Sequence, residues 1–202
     1  GAISTQCYGG NVFEGNCTIT NNGSGGYTMM ATTIGDTFRS DVTVLASGSA
    51  SVYLARNGTG NYVGGNVTLN HATTGASNFV TFANETGSAA TVVGNVVATN
   101  TSSAGTGVIY IGNVGDVSIG GDVTLTNSAT GATGQIYVAS NFRSNVSIGG
   151  NLLGVNNGTG TTKRIFIGNQ GDVQIAGTVN VLNNSTATNS HIYLQYDDSS
   201  TV

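Results

Sequence analysis

Asp116-Val117-Ser118-Ile119-Gly120-Gly121-Asp122-Val123-Thr124-Leu125 holds two short alternating segments joined by a glycine pair. Its last four residues are one copy of a block that recurs along the chain. The other copies are Asn16-Cys17-Thr18-Ile19, Asp41-Val42-Thr43-Val44, Asn66-Val67-Thr68-Leu69, Asn95-Val96-Val97-Ala98, Asn151-Leu152-Leu153-Gly154 and Thr178-Val179-Asn180-Val181. Successive blocks start 25, 25, 29, 27, 29 and 27 positions apart. A period of this size marks a repeat architecture, in which a unit buries its apolar face only by stacking on the next.

Two further segments recur in phase with the block. One is Val52-Tyr53-Leu54, Ile109-Tyr110-Ile111, Ile136-Tyr137-Val138, Ile165-Phe166-Ile167 and Ile192-Tyr193-Leu194. The other is Asp116-Val117-Ser118-Ile119, Asn145-Val146-Ser147-Ile148 and Asp172-Val173-Gln174-Ile175. All alternate apolar and other residues with period two, the mark of a strand with one buried face. No stretch shows a sustained helical period with caps. Gly120-Gly121, Gly149-Gly150 and Gly64-Gly65 separate the second strand from the third, and we expect a bend there that only glycine takes cheaply. The third corner is long, polar and variable in length, as an exposed loop at one edge of a stack would be.

The sequence therefore predicts an all-β chain, a parallel β-solenoid (β-helix). It has about seven coils of 25–29 residues with three short strands per coil, and residues 1–202 form one repeat-built unit. Like residues should stack as columns, with Val117, Val146 and Val173 in one interior row. A β-sandwich of the pilin or adhesin type would also alternate, but it predicts no such vertical ladder. The last unit supplies His191-Ile192-Tyr193-Leu194 and no further strands, so the chain reads as a segment of something longer or of an end-on assembly.

Composition narrows the function. Charged residues are 7%, against roughly 25% in ordinary globular proteins. Net charge is −4, and Arg39, Arg56, Arg143, Lys163 and Arg164 form no basic patch that could follow a phosphate backbone, so no nucleic-acid partner is expected. No apolar run approaches the ~20 residues that span a bilayer. Among the acids, Asp alternates with Asn at equivalent slots (Asp116, Asn145, Asp172; Asp41, Asn66, Asp122, Asn151), which is how turn formers behave rather than a paired-carboxylate site. We expect no enzyme activity and no cofactor. The acids also lack the tandem Gly-Gly-x-Gly-x-Asp of calcium-binding solenoids. Asp197-Asp198 reads as a solvated loop sooner than an ion site.

His71 and His191 sit in or beside the third corner with no ligand-spaced partner, and we read both as surface residues. Cys7 and Cys17 have two readings: small apolar residues, Cys17 standing where Val42 and Val67 stand, or a disulfide closing a short loop. Tyr53, Tyr110, Tyr137, Phe166 and Tyr193 occupy the middle of the first strand, with Thr81 in one coil. If Val52 and Leu54 face in, these rings face out. They then form either a stiffening stack or a contact ladder for a neighbouring strand or a glycan. Outward slots of the third strand give Thr-x-Thr in two coils only, too irregular for an ice lattice.

The runs Asn11-Val12-Phe13-Glu14-Gly15-Asn16, Thr18-Ile19-Thr20-Asn21-Asn22-Gly23-Ser24-Gly25, Gly35-Asp36-Thr37-Phe38-Arg39-Ser40-Asp41-Val42-Thr43-Val44 and Ser51-Val52-Tyr53-Leu54-Ala55 resemble the repeat regions of giant secreted surface proteins of gliding, filamentous Bacteroidota. The resemblance is strongest in residues 8–70, and later coils drift to a Val-Ser-Ile-Gly-Gly form. It implies export by the gliding-associated (type 9) route and a place in a cell-surface appendage, similar to grappling-hook filaments built from several copies. The expected function is thus a structural segment of an extracellular filament or adhesin. Its partners would be copies of itself and the glycans or proteins of target cells. The alternatives are a glycan-binding or glycan-degrading β-helix and, behind it, an ice-binding solenoid.

Overall fold

The computed structural model describes residues 3–75, 77–103 and 105–196; Asp197 and Asp198 lie outside them. The first coil holds β1 (Ile3–Gln6), β2 (Val12–Phe13) and β3 (Cys17–Asn21), and the second β4 (Gly26–Met29), β5 (Thr37–Phe38) and β6 (Val42–Ala46). There follow β7 (Ser51–Leu54), β8 (Asn61–Val63) and β9 (Val67–His71), then β10 (Ser77–Phe82), β11 (Ala89–Val92) and β12 (Val96–Asn100). The next two coils are β13 (Thr106–Ile111), β14 (Asp116–Ile119), β15 (Val123–Asn127) and β16 (Thr133–Val138), β17 (Asn145–Ile148), β18 (Leu152–Asn156). Last come β19 (Thr162–Ile167), β20 (Asp172–Ile175), β21 (Val179–Asn183) and β22 (Asn189–Leu194). There is no helix among the described residues.

The strands assemble into three parallel sheets, one of eight strands and two of seven, each joining every third strand. This is the β-solenoid read from the sequence, three strands per coil. Val117 pairs with Val146 and Val146 with Val173. The recurrent third-strand block forms the unbroken column Cys17, Val42, Val67, Val96, Val123, Leu152, Val179.

One core runs up the middle of all three sheets. Its columns mix sizes, so layers interlock: Val44, Leu69, Ala98, Leu125, Gly154 and Val181 lie in sequence above one another. Phe13 and Phe38 stack inside, with ring centres 4.7 Å apart and planes 7° from parallel.

Two corners have different physical origins. After the first strand, every coil from the second onward turns through a left-handed residue at the same register: Ala31, Ala55, Ala83, Gly112, Ala139, Gly168 and Gln195. Five of these are not glycine, at a cost of about 1–2 kcal/mol each that the surrounding coil must hold. At the second corner the expectation of a glycine-only bend is corrected. None of Gly64, Gly65, Gly120, Gly121, Gly149 and Gly150 has positive φ. These glycines are needed because the coil below is too near. A Cβ on Gly121 would lie 2.3 Å from Asn95 Oδ1 and 2.8 Å from the Gly94 carbonyl.

The contrast gives a paired prediction. Gly154 has no positive φ, and a Cβ there would meet Val181 at 3.4 Å, ordinary contact. Gly154→Ala should stabilise the fold by about 0.4–1 kcal/mol. Gly121→Ala should destabilise it by more than that, by driving adjacent coils apart. Urea denaturation of the two variants reads both signs; a destabilising Gly154→Ala would contradict the packing described.

Candidate functional site

The in-register columns leave few side chains free for chemistry, and the acids illustrate this. Asp41 Oδ1 accepts the Asn66 backbone N–H at 2.8 Å, Asn66 Oδ1 that of Asn95 at 2.9 Å, and Asn95 Oδ1 that of Asp122 at 2.8 Å. The series continues from Asp122 to Asn151 at 2.7 Å and from Asn151 to Thr178 at 2.9 Å. Asp116 likewise accepts from the backbone N–H of Asn145, and Asp36 from that of Asn11, both at 2.9 Å. Asp and Asn interchange because the slot needs only one acceptor oxygen aimed at the neighbouring coil. Among the described residues no three His, Cys, Asp or Glu side chains gather as a metal site would require.

A second ladder, inside the third corner, was not foreseen. Asn100, Asn127 and Asn156 are buried in one column with Asn183. Each donates its carboxamide N–H seven residues ahead, to the carbonyls of Gly107, Gly134, Lys163 and Ser190 respectively. Asn127 also donates to Asn156 Oδ1 at 3.1 Å, and Asn156 to Asn183 Oδ1 at 3.0 Å. The ladder clamps the long corner shut and ties each coil to the next. The signal in the sequence was an Asn two residues past the four-residue block, the fifth residue of the third strand, with the same seven-residue reach in four coils.

His71 occupies this column, which corrects its reading as a surface residue. It is fully buried, its Nδ1 is 3.4 Å from Asn100 Oδ1, and its Nε2 has no partner. Burial holds its pKa below the usual 6.5, with the nearby carboxamides of Asn100 and Asn78 pulling the other way. His191 is exposed and stacks on Tyr193, ring centres 5.1 Å apart. Lys163, one of the five basic residues counted above, is also fully buried. Its stem runs past Gly134 and Gly158, and its Nζ donates to the carbonyls of Gly131 (2.7 Å), Thr162 (3.1 Å) and Ala132 (3.2 Å). Burial lowers its pKa.

Cys7 and Cys17 are both free in this structure. Cys17 opens β3 and packs against the core, while Cys7 Sγ accepts from Asn11 Nδ2 at 2.9 Å. The two thiols are engaged in different surroundings across an intervening strand.

The aromatic row is assembled as a column. Met29, Tyr53, Thr81, Tyr110, Tyr137, Phe166 and Tyr193 follow one another in register, while Val52 and Leu54 face the core. Ring centres lie 5.1 Å apart from Tyr110 to Tyr137, 4.5 Å from Tyr137 to Phe166 and 4.8 Å from Phe166 to Tyr193, with planes within 17°. Tyr196 closes over the end edge-on, at 5.3 Å from Phe166 and 4.8 Å from Tyr193, which leaves Phe166 only 3% exposed. Burial, then the neighbouring Tyr110, pushes the Tyr137 hydroxyl up to about 12, with Arg164 pulling the other way. The row points outward, but here it is a stack more than an open contact face.

Comparison of the chain with protein-family models, with curated proteins and with solved structures gives no match.

Two pH predictions follow from the buried groups. Above pH 6.5 His71 is neutral in both states; below it the unfolded chain takes up the second ring proton first, so stability falls as pH falls. His71→Asn restores the ladder residue, and should flatten that acid limb and raise stability by about 1 kcal/mol at pH 5. At the alkaline end the unfolded tyrosine ionises from pH 10 while folded Tyr137 resists to about 12, so stability falls as pH rises through that window. Tyr137→Phe should make this fall shallower. Thermal melts of each variant against pH check both.

Proposed function

We propose that this chain is a structural segment of an extracellular filament or adhesin, acting mechanically rather than as a catalyst. The observation that carries this reading is the continuity of the ladders. Parallel backbone pairing, the corner Asn/Asp series and the interior Asn column all run from coil to coil along the axis. Tension along such a rod is shared by many hydrogen bonds per coil. The side chains a solenoid hydrolase would use, Asp116 and Asp122, instead accept bonds from the next coil. The sequence resemblance to secreted Bacteroidota surface repeats supports placing the rod on a cell-surface appendage. Its partners there are further copies of itself and the surface glycans or proteins of a target cell. Low charge and the absence of proline suit close lateral packing of copies.

Electron microscopy of the native material tests the proposal: fibres of several wound or laterally packed strands are expected, and a dispersed monomer would oppose it. Polysaccharide digestion tests the enzymatic alternative. The Asp116→Asn, Asp122→Asn and Asp172→Asn triple variant should fold and behave like the parent in that assay. Cleavage by the parent that the variant loses would overturn the mechanical reading.

A further inference from the structure

The aromatic column is broken at one rung. Where Tyr110, Tyr137, Phe166 and Tyr193 put a ring on every coil, Thr81 stands between Tyr53 and Tyr110. Thr81 is only 1% exposed, and a cavity of about 280 Å³ on the outer face of the first sheet is lined by Thr81 together with side chains of this coil and its two neighbours. Its sides are aromatic: Tyr53, Tyr110 and Phe79, the last tilted 43° to Tyr110 with ring centres 6.0 Å apart.

The rim is polar and belongs to three successive coils. Arg56 lies over the Tyr53 ring at 5.7 Å and pairs with Glu85 at 3.3 Å. Asn84 donates to Glu85 at 2.9 Å, and Asn113 donates to Asn84 at 3.0 Å. Arg56 Nε is buried and has no hydrogen-bond partner.

We propose that this notch is a binding site for one neutral pyranose ring of a glycan. Four features of the site select that chemistry. Ring C–H groups suit the negative faces of Tyr53 and Tyr110, as in apolar-lined sites with few polar anchors. The rim offers donors and acceptors together, Arg56 and Glu85 beside two carboxamides, which matches vicinal hydroxyls that both donate and accept. Arg56 and Glu85 neutralise each other, so the site does not call for a charged sugar. A volume just under the roughly 300 Å³ at which ligand pockets begin holds one ring, with the rest of the glycan in solvent. This site rests on the proposed function, which counts target-cell glycans among the partners, and its test is separate because fibres can form with no sugar bound.

Saturation-transfer NMR on the whole chain tests it, with the methyl glycosides of glucose, galactose, mannose and N-acetylglucosamine as probes and p-cresol as a planar control. At least one glycoside should receive saturation at its ring protons. Thr81→Phe supplies the missing rung, and should keep the fold while lowering that transfer about tenfold or more. Arg56→Met keeps the packed stem but removes the donors, and should weaken transfer with the rings in place. The proposal is overturned if no glycoside responds, if the response survives Thr81→Phe, or if only p-cresol responds. The last result would instead mark a socket for an aromatic side chain from another copy.

Discussion

The backbone of each coil hydrogen-bonds to the next in parallel register, and this holds equivalent residues about 4.8 Å apart along the axis. All else is subordinate to that spacing. A residue's neighbours are chiefly its own counterparts, so each position is tested for whether it can stack on itself. Val, Ile and Leu do so by interlocking, aromatic rings by lying flat on each other, and Asn by passing a hydrogen bond along the column. Residues with a large side chain and no room beside the coil below cannot, hence the glycines at the second corner.

The same constraint explains why polar groups can be buried here at all. A carboxamide inside a core is costly unless its donors and acceptor are met. In the third corner the Asn carboxamides donate to a carbonyl seven residues ahead and, for Asn127 and Asn156, to the next Asn as well, while Asn127 Oδ1 is left without a partner. His71 fits this column less well, since an imidazole has one donor and one acceptor and the structure leaves Nε2 without a partner. Lys163 solves the problem differently, by collecting three carbonyls at the tight corner.

The fold was legible in the sequence because columns leave a period, and the Val117–Val146–Val173 row could be placed before any coordinates. The outward phase of Tyr53 and Tyr110 followed from simple alternation. Burial of His71 and Lys163 was not legible, since charge and polarity argued for the surface and only register carries them inward. The glycine pairs were read as conformational needs when their cause is a neighbour in another coil, which no local pattern encodes. The notch over Thr81 was visible as a missing aromatic. Its rim was not, because Arg56, Glu85 and Asn113 come from three coils and meet only after the chain has wound.

A stack of near-identical units invites the thought that any winding could be exchanged for any other. Lys163 denies this. Its stem occupies room left by the bare α-carbons of Gly134 in one adjoining layer and Gly158 within its own corner loop. Its ammonium is met by carbonyls on both sides of that boundary. Set on the winding of β10 instead, the cation would stand over Asn78 where it now has Gly134. One buried cation thereby gives a repetitive polymer a fixed address, and makes the order of its modules part of the folded state.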